Sequence, residues 1–229
     1  MILETKQVKA NGIDFAYLDA GEGPLMLLLH GFPDSPHTWS HQLPALAEAG
    51  FHVVAPFNRG YAPTGPGAFY DSATLATDAR ALIEALSDGP AHVVGHDWGA
   101  AVTYTLLAAY PESVRRAAVL AIPHGRALPQ LLMMPEQVKR AFHWWFFQLP
   151  DIPEVAIAAN NFAFLDYLWD QWTGPDYNDP EHTASIKRMF AEPGVLAAAL
   201  SYYRAIFNPA LADPGLADVT ARAQRDIEV

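Results

Sequence analysis

Val93-Val94-Gly95-His96-Asp97-Trp98-Gly99-Ala100 is an apolar run that enters Gly-x-Asp-x-Gly and passes into helix-forming sequence. Strand, sharp turn and helix in that order make a nucleophile elbow. Its two glycines permit a strained turn that lifts the central side chain above a sheet, beside the first free N–H groups of the next helix. Those dipoles favour an anion, so the sequence predicts that Asp97 stays ionised at neutral pH. An aspartate that merely caps a helix is the plainer reading of the same five residues, and the strand before and helix after weigh against it. A carboxylate attacks without a general base. Attack on an ester would give a reactive anhydride, whereas attack on an epoxide carbon or a carbon bearing halide gives a stable alkyl ester. The expected electrophile is therefore an sp³ carbon.

Outward from the elbow, Leu25 to Leu29, Phe51 to Pro56, Ala91 to Val94 and Ala117 to Ile122 read as short buried strands. Helix-spaced stretches such as Ser72 to Leu86 and Ala100 to Tyr110 separate them, and this alternation predicts an α/β fold with a mostly parallel sheet and helices on both faces. Asn11-Gly12, inside Gln7 to Leu18, supplies the positive φ angles of a tight hairpin, so the sheet begins antiparallel. From about Arg126 to Phe207 aromatics and prolines cluster without a clear strand. Gln137 to Phe147 and Val195 to Ile206 have good helix formers. Pro150, Pro153, Gly174-Pro175 and Pro193-Gly194 are expected to break the segment into short pieces. The expected division is a core over 1–125, an inserted helical cap over 126–207 and a return to the core over 208–229, where Ile227 to Val229 resembles the start of another strand.

The chain has 229 residues, with 14 Lys plus Arg against 25 Asp plus Glu, a formal charge of −11 that argues against nucleic-acid binding. It has no cysteine, hence no disulfide framework or thiol nucleophile, a pattern that fits a reducing cytoplasm. No run of about 18 apolar residues appears, so no membrane span is expected, and the expected chemistry requires no metal or other cofactor.

After the Leu25 to Leu29 strand comes His30-Gly31-Phe32-Pro33, whose loop would bring the Phe32 backbone N–H near the elbow. With the Trp98 N–H it would form an oxyanion hole. Taken in order, His30 to Pro33, Asn58-Arg59-Gly60-Tyr61, Gly95 to Gly99 and Phe146-Phe147-Gln148-Leu149-Pro150 make the chain resemble an α/β-hydrolase of the epoxide hydrolase group, from about residue 5 onward. That resemblance implies that Asp97 opens an epoxide through a covalent ester and that two cap side chains, usually tyrosines, bind its oxygen. Ser201-Tyr202-Tyr203-Arg204 matches one such motif and gives Tyr203 that role; at the other position stands His143, followed by Trp144. The implied substrate is a small apolar epoxide or related electrophile.

Haloalkane and haloacid dehalogenases share the elbow aspartate. Trp98 stands where haloalkane dehalogenases carry a halide-binding Trp, but Phe32 replaces the polar residue that many of them use. Fluoroacetate dehalogenases resemble the cap through His143, Trp144 and Tyr203, yet their substrate-holding arginines correspond here to Trp98 and Ala101. A non-catalytic ligand-binding protein is the reading from outside the enzyme class. The resemblance also implies a hydrolytic His and its acid partner, which would both lie beyond Val229. The expectation is thus a fold lacking its last strands, a fragment that stalls after the first step. His124, past the Ala117 to Ile122 strand, is not expected to substitute, His182 and the other histidines are expected on surfaces or in ordinary packing, and Met133-Met134 is expected to pack. The Ala117 to Ile122 strand would then have an open edge that recruits another chain or aggregates, which leaves room for a homo-oligomer.

Overall fold

The computed structural model describes residues 4–224. Strands β1 (Thr5–Ala10) and β2 (Ile13–Ala20) form the expected hairpin, with Asn11 and Gly12 at φ 44° and 75°. Strands β3 (Leu25–Leu29), β4 (His52–Pro56), β5 (Ala91–His96) and β6 (Val114–Leu120) complete one sheet in the order β1-β2-β4-β3-β5-β6. β2 runs antiparallel to β1 and β4, while β3 is parallel to β4 and β5, and β5 to β6.

All five residues of β3 are buried, as a strand covered on both faces requires. Alternation sorts them: Leu25, Leu27 and Leu29 join one core with α2 (Ser72–Leu86) and α3 (Trp98–Ala109). Met26 and Leu28 join a second with Trp39 and Leu43, the latter from α1 (Gln42–Glu48). α2 begins where Asp71 accepts the N–H groups of Ala73 and Thr74, satisfying two donors the helix itself leaves free.

β6 starts three residues before the expected Ala117, because its parallel pairing with β5 begins at Ala91 and Val114, and it ends before Ala121, where φ is 71°. Among the described residues β6 has no neighbour on its outer edge. Six helices follow: α4 (Leu128–Leu131), α5 (Pro135–Arg140), α6 (Phe142–Phe146), α7 (Ile152–Trp172), α8 (Pro180–Ala191) and α9 (Val195–Phe207). The stretch read as one helix over Gln137 to Phe147 is two, divided at Ala141.

The breaks fall where the prolines and glycines predict: Pro150 lies between α6 and α7, Gly174-Pro175 between α7 and α8, Pro193-Gly194 between α8 and α9, and Pro153 in the first turn of α7, where a missing N–H costs nothing. A further interruption inside α7 comes at Asn160, Asn161 and Phe162, all at positive φ. Met133 is 85% exposed, contrary to the packing expected of it. Finally α10 (Ala217–Ala223) packs on α3 and α2. The strand expected from Ile227 lies outside the described residues.

Candidate active site

Asp97 occupies the turn between β5 and α3 at φ 53° and ψ −115°, a conformation that L residues rarely hold. The surroundings impose it. A Cβ on Gly95 would lie 2.2 Å from the Gly99 carbonyl oxygen, and one on Gly99 would lie 2.1 Å from that of Leu29. Only glycine lets β3, β5 and α3 approach this closely. The Asp97 N–H donates to the Leu120 carbonyl, while its own carbonyl accepts from Ala100 and Ala101 and starts α3.

The His30 to Pro33 loop leaves the end of β3 and brings the Phe32 N–H to 2.8 Å from Asp97 Oδ1. Gly31 allows this, since a Cβ there would meet Asp97 Oδ1 at 2.5 Å. Burial pushes the Asp97 carboxyl above the usual carboxylate range, against the downward pull of the Phe32 and Trp98 N–H groups. Desolvation thus outweighs the donors that the helix start and the Phe32 loop supply.

Tyr203, from the helical segment, acts directly on the carboxylate, and His143 packs behind it. The Tyr203 ring lies 5.1 Å from that of Trp98, 5.4 Å from Phe32 and 5.5 Å from His143, all edge to face. Tyr203 Oη and His143 Nδ1 are buried and make no hydrogen bond of good geometry; the Trp98 side chain acts on Tyr203 as a weak donor, and the Arg140 backbone acts on the His143 ring as a weak acceptor. Burial pushes the Tyr203 phenol well up, with Asp97 and Tyr61 adding to the shift, and pushes the His143 imidazole down to about 4. At neutral pH both groups are uncharged.

A family model described as alpha/beta hydrolase fold matches residues 24–169. The chain belongs to the alpha/beta hydrolase fold family. An AB hydrolase superfamily protein of Bacillus subtilis is 36% identical over 213 residues, covering 90% of this chain and 74% of its own. Mouse epoxide hydrolase 4 is 32% identical, over 88% of this chain and 59% of its own length. This alpha/beta hydrolase therefore spans about three-fifths of that relative. A fluoroacetate dehalogenase from Burkholderia sp. is 33% identical, over 88% of this chain and 69% of its own. Among solved structures, the epoxide hydrolase VrEH1 from Vigna radiata superposes with a TM-score of 0.75 at 30% identity, covering 88% of this chain and 70% of that one.

The hydrolase fold thus brings Asp97, Phe32, Trp98, Tyr203 and His143 into one cluster. Trp144 joins it only through His143, their rings 6.4 Å apart. Gln148, from the Phe-Gln motif, donates to the carbonyls of both Trp144 and Tyr203 and so ties the segments carrying His143 and Tyr203. His124 accepts from the Arg126 N–H at a turn, a capping position. Of the two places expected for His182, surface or packing, it takes the second: its Nε2 lies 2.9 Å from Asp34 Oδ1 and both side chains are about nine-tenths buried. Sequence alone carried no signal for this pair, which joins residues 148 positions apart. Among the described residues no helix is long and apolar enough to cross a membrane, and no group of three or more His, Cys, Asp or Glu could hold a metal ion.

Proposed function

We propose that the chain carries the nucleophilic half of an epoxide hydrolase. A carboxylate oxygen of Asp97 attacks an epoxide carbon, the ring C–O bond breaks, and its electron pair leaves with the oxygen. Tyr203 hydrogen-bonds that oxygen and gives it a proton, with His143 as the second donor; the product is a hydroxyalkyl ester on Asp97. The Phe32 and Trp98 N–H groups form the oxyanion hole of the ester, and residues 126–207 act as the cap, with Trp144 at the edge of the substrate pocket. The observation that carries this reading is the buried Tyr203 hydroxyl, which makes no hydrogen bond of good geometry and lies close enough to the buried Asp97 carboxylate for the two to interact, with the His143 ring packed against it. An epoxide oxygen would satisfy that hydroxyl. No lysine or arginine figures among the groups that shift Asp97 or Tyr203, which favours an uncharged, apolar substrate over an anionic one.

A second reading, dehalogenation, draws on the fluoroacetate dehalogenase relative and on its likeness at His143, Trp144 and Tyr203. Incubation with styrene oxide, a chloroalkane and fluoroacetate separates these readings. Consumption of styrene oxide without halide release from the other two supports the epoxide reading; halide release transfers the assignment to a dehalogenase. Reversible binding with no reaction would leave a non-catalytic ligand-binding protein.

A further inference from the structure

Two side chains of the helical segment grip the loop that carries the Phe32 N–H, and neither touches Asp97. The indole Nε1 of Trp169, on α7, donates to the Pro33 carbonyl at 3.2 Å, and His182 Nε2, on α8, meets Asp34 Oδ1 at 2.9 Å. Pro33 and Asp34 are the two residues that follow Phe32. The Trp169 and His182 rings also pack against one another, 5.4 Å apart, so the two ties form one unit. Asp34 Oδ1 additionally accepts the Ser35 N–H, which fixes the carboxylate that His182 meets.

We propose that Trp169 and His182 are positioning residues that hold the Phe32 N–H on the reacting carboxylate. The inference rests on the reading of Asp97 and Phe32 as nucleophile and oxyanion donor. It makes that donor dependent on the closed arrangement of α7 and α8 over the loop: if these helices move away, both ties break and the Phe32 N–H loses its support. A carboxylate only accepts hydrogen bonds, so His182 Nε2 carries a proton here, and a charged imidazolium strengthens the tie. The charged or titratable groups acting on His182 are Asp34, Asp179 and His37. Burial would lower the His182 pKa, but the hydrogen bond and charge of Asp34, with Asp179 adding to it, raise it. The tie therefore weakens as pH rises through that raised value.

The test uses the full 229-residue chain with His182→Leu, His182→Gln and Trp169→Phe. Two readouts are compared: hydrogen exchange of the Phe32 amide, and the single-turnover rate of ester formation with styrene oxide, between about pH 6 and 9. The expected result is faster Phe32 exchange in His182→Leu and Trp169→Phe, with ester formation about tenfold slower at saturating epoxide and unchanged half-saturation. His182→Gln, which keeps an N–H donor, restores most of the protection and removes the alkaline decline of the parent rate. Unchanged Phe32 exchange in all three variants overturns the proposal whatever the chemistry does. If the parent chain forms no ester, the exchange readout still decides the positioning role, and only the active-site reading is lost.

Discussion

The Oδ1 atom of Asp97 accepts the backbone N–H of Phe32 at 2.8 Å across 65 residues of sequence. In the proposed mechanism this donor orients the carboxylate before attack and faces the ester afterwards. The contact also tempers the ionisation of the site, because this N–H and that of Trp98 oppose the larger effect of burial, which raises the Asp97 pKa.

Ester formation needs the Asp97 anion, so its rate rises with pH through a midpoint above the ordinary value of 3.8. His143 stays neutral above about pH 4. The Tyr203 phenol, pushed well above 10, keeps its proton through the alkaline range, so no loss of rate is assigned to it there. Single-turnover rates against pH check this; a midpoint at or below 3.8 would contradict the buried-carboxylate account.

Tyr203→Phe removes the proposed proton donor. General acid catalysis contributes about 10²- to 10⁴-fold, so ester formation should slow at least about 100-fold. The folded protein should lose little stability, because the deleted hydroxyl makes no hydrogen bond of good geometry, only a weak contact with the Trp98 side chain, and burying it so costs about 1–3 kcal/mol. Thermal melting beside the kinetics tests both halves. A lower melting temperature would mean that the hydroxyl makes a bond holding the fold together.

Beneath the site, Arg59 donates to Asp78 at 2.6 and 2.5 Å in a buried pair, and the Arg59 carbonyl accepts from Tyr202, the neighbour of Tyr203. Arg59→Met leaves an uncompensated carboxylate and should cost about 3–5 kcal/mol in urea unfolding. Asp78→Leu added to it should recover most of that loss. An equal loss in the double variant would show that the cost is packing around the guanidinium rather than the stranded charge.

Much of this arrangement could be read in the sequence because it is local. Leu25 to Leu29 announces a strand covered on both faces by being apolar throughout, and Ser72 to Leu86 announces a helix by its spacing. The Gly-x-Asp-x-Gly elbow needs only its five residues to declare its turn. What escaped depends on distance or environment. His182 and Asp34 meet across 148 residues, and nothing beside either one signals the other. The burial that raises the Asp97 pKa also escaped, since a sequence shows which N–H groups follow a strand but not how far water is excluded. Pro153 marked a helix start correctly, but the interruption of α7 at Asn160 to Phe162 carries no proline or glycine to announce it.

The most direct measurement is peptide mapping by mass spectrometry after incubation with styrene oxide, for the parent chain and Asp97→Asn. The account predicts one hydroxyalkyl ester per chain on the peptide containing Asp97 of the parent, and none on the variant. The variant should also melt higher at neutral pH: a carboxyl whose folded pKa is raised favours the native state at low pH and loses that contribution as pH rises through the folded value. An epoxide consumed at equal rate by Asp97→Asn, or an adduct on another residue of the parent, would contradict the claim that this buried carboxylate is the nucleophile.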